Sequence, residues 1–258
     1  MKKIYKTSSD AKCKFYPKKH KYKIGKKELT SVTTFLKQFF SEFDANKMSK
    51  VKAFISKRDG RPEENATFWK KKWKESAEHG TRVHALIEQW TSNPKQSIEE
   101  AMEGTTYQEP RDLAKAMNAL NWLYYSYKCQ NKDTCLNELL VYDPKLGVAG
   151  QVDLVTIKDN VVDIIDFKSN DKITTEGYRG AKAKEPLKDL PDCSLTKYSL
   201  QVSLYARMLE SLGYKVGKLT ILHIKEIGVV PYNVDYTEYS KYIDKIIKYK
   251  ENKEKELI

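Results

Sequence analysis

Residues 161–169 read VVDIIDFKS, and this short run constrains the fold more than any other part of the chain. Its β-branched residues favour a strand, and a run this apolar is typical of a central strand covered on both faces. Side chains two apart on a strand share a face, so Asp166 and Lys168 point together while Ile165 and Phe167 point to the opposite layer. We therefore expect a sheet whose central strand carries a carboxylate and an ammonium group.

The preceding segments supply a second carboxylate. Residues 139–142, 148–157 and 161–167 are short, β-branched and separated by turn residues, which predicts three consecutive strands. Asp153 lies in the middle strand between apolar neighbours, and a short return would place it beside Asp166. Two carboxylates with an adjacent cation are what phosphodiester hydrolysis with Mg²⁺ or Mn²⁺ requires.

A structural ion pair between Asp166 and Lys168 is the alternative interpretation of this strand. The bare Asp/Glu-x-Lys pattern also occurs at Asp10, Asp143 and Glu251, so the pattern alone means little in a lysine-rich chain. Only Asp166 lies inside an apolar strand, where an unpaired charge is costly to bury.

A helix is predicted from about Ala66 to Trp90, and its second half contains GTRVHALIE, residues 80–88. His84 and Glu88 are four residues apart and therefore share one helical face. Gly80 lies one turn earlier on that face and would allow a close approach by another backbone or a phosphate. A core helix with a hydrogen-bonded histidine and a surface glutamate is the alternative.

A second helix is predicted over KYSLQVSLYARMLE, residues 197–210. Gln201 and Tyr205 share one face, and Leu200, Leu204 and Met208 form the stripe expected to be buried. Taken alone, this is an ordinary amphipathic helix. The remaining pattern predicts a hairpin at 12–24, helices at 31–40, 45–57 and 111–127, a polar loop at 169–193, strands at 218–225 and 229–234, and a terminal lysine-rich helix.

In this order, the elements resemble the PD-(D/E)XK nuclease superfamily, and within it the RecB-like exonuclease branch. That branch has a GxxxHxxxE helix, a GxxD strand, a DxK strand and a QxxxY helix. The matching residues here are Gly80, His84 and Glu88, then Gly150 and Asp153, then Asp166 and Lys168, and finally Gln201 and Tyr205. The N-terminal stretch HKYKIGKKELTSVTTFLKQF also resembles the opening of phage exonucleases and of the mitochondrial genome maintenance exonuclease group.

The resemblance implies an α/β fold with a restriction-endonuclease-like core, in which a central mixed sheet is flanked by helices and preceded by an N-terminal hairpin and helical region. It implies that Asp153, Asp166, His84 and the backbone carbonyl of Phe167 bind Mg²⁺ or Mn²⁺. Lys168 would orient the attacking water or stabilise the transition state. Glu88 would hold a second metal through water, and Gln201 and Tyr205 would touch Lys168 or DNA.

The charge balance agrees with a polyanionic partner. Basic side chains number 47 against 35 acidic ones, which gives a formal net charge of +12. Residues 1–14 lack the apolar segment of a secretory signal and the arginine-rich pattern of a transit peptide. We expect a cytoplasmic protein, bacterial or from a phage, that has no membrane span and is a monomer; a mitochondrial location is the alternative.

The cysteines do not predict a metal cluster. Cys13, Cys129, Cys135 and Cys193 form no CxxC pair, and no cysteine follows Cys193, where related nucleases carry an iron–sulfur cluster. We expect free thiols and no iron–sulfur cluster.

DNA contacts are predicted on basic segments. The helix leading to His84 combines lysines with tryptophans, a pairing that suits single-stranded DNA because bases stack and phosphates pair; inward packing of the tryptophans is the alternative. The predicted contact residues are Lys70, Lys71, Lys72, Lys74, Trp69, Trp73, Lys182, Lys184 and Tyr205. We predict an N-terminal DNA-binding roof at residues 1–75 and the nuclease core at 76–258.

The function predicted from the sequence is a metal-dependent DNA exonuclease that acts on single strands or free ends, in DNA repair or recombination. A structure- or sequence-specific endonuclease of the same fold is one alternative. A DNA-binding protein on an inactive nuclease fold is another, and the intact Asp153, Asp166 and Lys168 argue against it. A basic scaffold protein would show no metal dependence.

Overall fold

A computed structural model describes residues 13–95, 97, 100 and 109–256. Within them lies one mixed sheet of eight strands, flanked by helices on both faces. The strands are β1 Cys13–Tyr16, β2 Lys21–Ile24, β3 Lys27–Ser31, β4 Thr134–Asp143, β5 Val148–Lys158, β6 Val161–Lys168, β7 Lys215–Ile224 and β8 Val229–Val234. The fold class predicted from the sequence is confirmed.

Strand β5 organises the sheet because three strands pair with it. Along one edge β4 pairs antiparallel over the whole length of β5, from Val148 to Ile157. The other edge is shared: β3 pairs in parallel at Val148 and Ala149, and β6 pairs antiparallel from Leu154 onward. Residues 150–153 of that edge therefore lie between β3 and β6. Beyond β6, β7 pairs in parallel and β8 antiparallel.

The helices are α1 Val32–Lys37, α2 Ala45–Arg58, α3 Ala66–Thr91, α4 Pro110–Asn121, α5 Ser194–Glu210 and α6 Tyr236–Lys255. Four of them follow a residue whose side chain accepts a hydrogen bond from an amide of the first turn: Ser31, Asp44, Asn65 and Asp235. Helix α4 ends earlier than predicted, and residues 122–127 form a π-helical turn instead.

Two cores cover the two faces of the sheet. Ile164 of β6 belongs to the core beneath α1, α5 and α6, and Ile165 belongs to the core beneath α3 and α4. Alternate side chains of a strand face opposite sides, so one strand serves both cores. Both isoleucines are fully buried, and burial of such a side chain contributes roughly 1.5–3 kcal/mol. The end of β6 is thereby fixed from both sides.

Most predicted elements agree with the structure to within a few residues at each end. The sequence pattern did not predict β3, because its first two residues, 27 and 28, are charged and are not typical of a strand. Residues 1–12 of the predicted N-terminal region lie outside the described residues. The division at residue 75 stays a prediction, and α3 runs through it without a break. Among the described helices, none has the length and apolar character that crossing a membrane requires.

Candidate active site

The pairing of β5 with β6 brings the two predicted aspartates together. Leu154 and Ile165 are register partners, so Asp153 and Asp166 lie side by side on neighbouring strands. The backbone amide of Phe167 donates a hydrogen bond of 2.7 Å to Asp153 Oδ2. This bond fixes one carboxylate of the site to the backbone that carries the other residues.

Asp166 is 1% exposed, and its Oδ2 lies 2.5 Å from Lys168 Nζ. Burial raises the pKa of Asp166 to about 6, against the opposing effect of the Lys168 charge. Burial alone would lower the pKa of Lys168, but the charges of Asp166 and Asp153 outweigh it and raise that pKa. The lysine is therefore held as an ammonium ion between two carboxylates.

Helix α3 delivers His84 to the same place. Val83 and Ile87 are fully buried, which directs the intervening histidine toward the sheet. His84 Nδ1 lies 3.8 Å from Asp153 Oδ2, and the imidazole packs edge-on against the ring of Phe167. A Cβ at Gly80 would come within 3.0 Å of Ser169 Oγ, so the glycine lets α3 approach the end of β6.

A fourth candidate ligand, Glu138 on β4, escaped the sequence prediction. One ligand atom each from His84, Glu138 and Asp153 lies within 4.8 Å of the others. Glu138 has a positive φ of 46° inside its strand. Its pKa is raised to about 7 by burial first, and then by Asp153, Glu88 and Asp166. A lone glutamate in the apolar run LNELLVY was the signal that could have revealed it, by the reasoning applied to Asp153.

Helix α5 closes the site from the other face of the sheet. Gln201 Nε2 donates a hydrogen bond of 3.1 Å to Asp166 Oδ1 and lies 3.4 Å from the Tyr205 hydroxyl. Gln201 thus contacts Asp166, while Tyr205 is 3% exposed and lies against Gly150. Contact of Tyr205 with DNA stays a prediction. The ring in contact with Lys168 is that of Tyr198, with Nζ 4.7 Å from its centroid. Tyr198 was not predicted, because Lys168 contacts it through an aromatic face and no hydrogen-bonding pattern marks it.

Two further predicted residues lie at the edge of the site. Glu88 is exposed one turn beyond His84, close enough to contribute to the raised pKa of Glu138. Phe167 is buried at 3% exposure, and its amide is the group that holds Asp153. Metal binding by the Phe167 carbonyl stays a prediction.

The predicted DNA-contact residues on α3 divide into two groups. Trp69 and Trp73 are half-buried: the Trp69 indole donates a hydrogen bond of 3.2 Å to Ser56 Oγ on α2, and Trp73 packs edge-on against Phe43. The lysines of this segment are exposed, as are two on the loop between β6 and α5: Lys70, Lys71, Lys72, Lys74, Lys182 and Lys184.

The donor set at the site fits a divalent cation. It offers one imidazole and several carboxylate oxygens, a combination suited to Mn²⁺ and, through its oxygens, to Mg²⁺. The carboxyl pKa values of about 6 and about 7 at Asp166 and Glu138 reflect burial and crowded negative charge, which a bound cation would relieve.

Comparison with known proteins agrees with this geometry. A family model of the PD-(D/E)XK nuclease superfamily matches residues 49–256, and the chain belongs to this superfamily. The chain is accordingly a nuclease by family, with nucleic acid as its substrate. No curated protein matches the sequence.

Solved structures give only distant matches. One is described as "Putative exonuclease" from Eubacterium rectale, with 11% identity over 84% of this chain and 77% of that chain, at a TM-score of 0.38. Another, designated SSO0001, has 12% identity over 65% of this chain and 71% of that chain, at a TM-score of 0.25. Both TM-scores are too low to show that the folds are the same.

Proposed function

We propose that the chain is a divalent-metal-dependent deoxyribonuclease of the RecB-like branch that degrades DNA from free ends and prefers single strands. The observation that carries the proposal is the convergence of His84, Asp153, Asp166 and Lys168 where the C-terminal end of β6 meets the middle of β5. An imidazole, two carboxylates and an ammonium group form a complete set for hydrolysis of a phosphodiester. A structural ion pair alone would need neither His84 nor Asp153.

Each residue has a defined part in this reaction. Asp153, Asp166 and His84, with Glu138, would hold a divalent ion, and such an ion supplies Lewis acidity and lowers the pKa of bound water when present. Asp153 is oriented by the Phe167 amide. Lys168 places a positive charge where negative charge develops on the phosphate.

Two residues of α5 support this set. Gln201 donates a hydrogen bond to Asp166, which fixes the orientation of that carboxylate. The Tyr198 ring lies against the Lys168 ammonium and limits the positions it can adopt.

The preference for single strands rests on α3. Its exposed lysines lie on the same continuous helix as His84, upstream of the site. A cleft of about 860 Å³ runs along this part of α3. Its lining combines Trp69 and Trp73 with four basic and four acidic side chains: Lys71, Lys72, Arg82, Arg111, Glu75, Glu78, Glu109 and Asp171. We propose that residues 30–75 form a roof and that a flexible strand passes beneath it along this cleft. An uninterrupted duplex would be excluded by its width.

The first experiment tests catalysis. End-labelled linear single strands, linear duplexes and circular single strands are incubated with Mn²⁺, with Mg²⁺ and with EDTA. We expect cleavage of the linear single strand with metal only, and no cleavage by Asp153→Ala and Asp166→Ala variants that keep their fold. Full activity in EDTA would contradict the proposal that cleavage depends on a divalent metal. Circles cut as fast as linear strands would favour the endonuclease alternative.

The second experiment tests the path of the strand. Exchange of Lys70, Lys71 and Lys72 for Gln should make the plot of log affinity against log salt shallower, by roughly 0.7 for each phosphate that no longer pairs with a lysine. The matched control removes three exposed lysines at the far end of the sheet, Lys158, Lys215 and Lys218. An unchanged slope in the α3 variant would show that the strand runs elsewhere, such as along Lys182 and Lys184.

A further inference from the structure

The N-terminal hairpin, residues 13–24, carries five lysines and no acidic residue: Lys14, Lys18, Lys19, Lys21 and Lys23. We call these residues the basic hairpin. Strands β1 and β2 form it, joined by a short turn at Pro17–Lys19. The basic hairpin has no part in the functions proposed for the active site and for α3.

The two faces of the basic hairpin differ sharply. The inner face packs Phe15 on Tyr22, with ring centroids 4.8 Å apart, and Tyr22 joins Leu29 and Ala149 in a small core. The outer face carries the lysines and Tyr16, which is 44% exposed. The contacts of the hairpin with the small core thus come from its inner face.

The outer face concentrates positive charge, and one carboxylate, Glu28 of β3, lies opposite Lys23 in the strand register. Lys14 lies directly opposite Lys23 in the strand register, and like charges in this position destabilise a sheet. Lys21 is paired with Glu28 at 2.8 Å. Within the described part of the chain, no carboxylate forms an ion pair with Lys14, Lys18, Lys19 or Lys23. A polyanion bound to this face would relieve the repulsion between these lysines.

The same face also offers a surface for a base. A groove of about 520 Å³ is lined by Tyr16, Pro17 and the stems of Lys18, Lys19, Lys21 and Lys23. Its lining therefore combines an aromatic ring and a proline ring with lysine side chains. This combination suits a single strand, in which a base stacks while phosphates pair with lysines; a duplex would offer only its phosphates.

The basic hairpin lies beside the active site. Tyr22 packs with Ala149 of β5, which lies four residues before Asp153 on the same strand. At a rise of about 3.3 Å per residue these two residues are about 13 Å apart, so the hairpin and the carboxylates belong to neighbouring parts of one sheet.

We propose that the basic hairpin binds single-stranded nucleic acid, as a second contact for the strand whose end occupies the active site. This inference deepens the proposed function and rests on it for the identity of the strand. Tyr16 stacks on a base, and Lys18, Lys19 and Lys23 contact phosphates on either side.

The test measures binding separately from cleavage. Affinity of the full chain for fluorescein-labelled oligothymidylate is measured by anisotropy in EDTA over a series of salt concentrations. Exchange of Lys18, Lys19 and Lys23 for Gln should lower the affinity and reduce the salt slope by roughly 2 in total, at about 0.7 per phosphate. Tyr16→Ala should lower the affinity roughly 5-fold or more and leave the slope unchanged, because stacking releases no counterions.

The control is the variant lacking Lys158, Lys215 and Lys218, which has the same net charge as the hairpin variant. Equal slopes for the two variants would overturn the inference, as would failure of the unaltered protein to bind oligothymidylate. Metal-dependent cleavage of DNA in either case would leave the proposed function intact. If the salt slope depends on the hairpin lysines but the protein cleaves no DNA, the hairpin remains a binding surface and the proposed exonuclease function is wrong.

Discussion

The ring of Tyr205 occupies the space that a side chain at residue 150 would need. A Cβ built on Gly150 would lie 2.6 Å from Tyr205 Cε1 and 2.8 Å from its hydroxyl oxygen. Gly150 lies in the part of the β5 edge between β3 and β6, and Tyr205 reaches into it from α5. The glycine of the GxxD strand and the tyrosine of the QxxxY helix are therefore complementary halves of one packing contact.

Gly150→Ala should destabilise the protein by about 1–3 kcal/mol, the usual effect of excess volume in a packed core. The destabilisation should shrink when Tyr205→Leu is added, because the smaller side chain frees the space. Urea unfolding of the two single variants and the double variant measures this coupling. Strictly additive effects would show that the two residues do not compete for space.

Lys168→Met should reduce turnover by about 10²–10³-fold, the effect of losing one well-placed stabilising charge. Lys168→Arg should restore little of it, because a planar guanidinium does not fit a position 2.5 Å from Asp166 and against the Tyr198 ring. Single-turnover rates at saturating metal report the effect, and circular dichroism checks the fold. Near-normal turnover in the Met variant would show that the Asp166–Lys168 contact is a structural ion pair only.

His84→Ala should weaken Mn²⁺ binding by at least about 10-fold. Loss of a residue that merely orients a metal ligand already has an effect of about this size, and loss of the ligand itself should have no less. Titration calorimetry with Mn²⁺, without any DNA, measures it. His20→Ala is the control, because His20 lies exposed in the hairpin turn. Equal Mn²⁺ affinity in the two variants would contradict a ligand role for His84.

Asp112 on α4 gives a prediction for acid stability. It is 1% exposed and hydrogen-bonded to His79 and Arg82 of α3. Burial alone would raise its pKa, but the hydrogen bonds of Arg82 and His79 outweigh burial and hold the pKa below its ordinary value. A lowered pKa means that the stabilisation is complete above the ordinary aspartate pKa of about 3.9. It is lost as the pH falls through the lower folded value.

Asp112→Asn should therefore lower the free energy of unfolding by about 3–5 kcal/mol at neutral pH, as expected when one partner of a buried charge pair is removed. The difference from the unaltered protein should narrow below about pH 3.9. Asp171→Asn, which affects an exposed pair with Arg111, is the control and should change stability by less than about 1 kcal/mol. A difference that stays constant with pH would show that the Asp112 charge is not responsible.

Periodicity in the sequence was enough to locate the strands and helices that carry the site. Asp153 and Asp166 could be paired in advance because a hairpin return leaves little choice of register. The same reasoning reaches Glu138 only when β4 is extended one residue beyond the predicted strand 139–142, to a position whose backbone has a positive φ. The direction of Trp69 depends on packing against Ser56 of α2, which no local pattern encodes.

Helix α3 has 26 residues and joins the exposed lysines to His84 in one rigid rod of about 39 Å. Trp69 holds its N-terminal half to Ser56 of α2, and the buried Ile87 holds its C-terminal half in the core. At a rise of about 1.5 Å per residue, Lys70 and His84 are about 21 Å apart along the helix axis. A phosphate bound at Lys70 and one bound at the catalytic centre would therefore be separated by a distance that the helix itself sets.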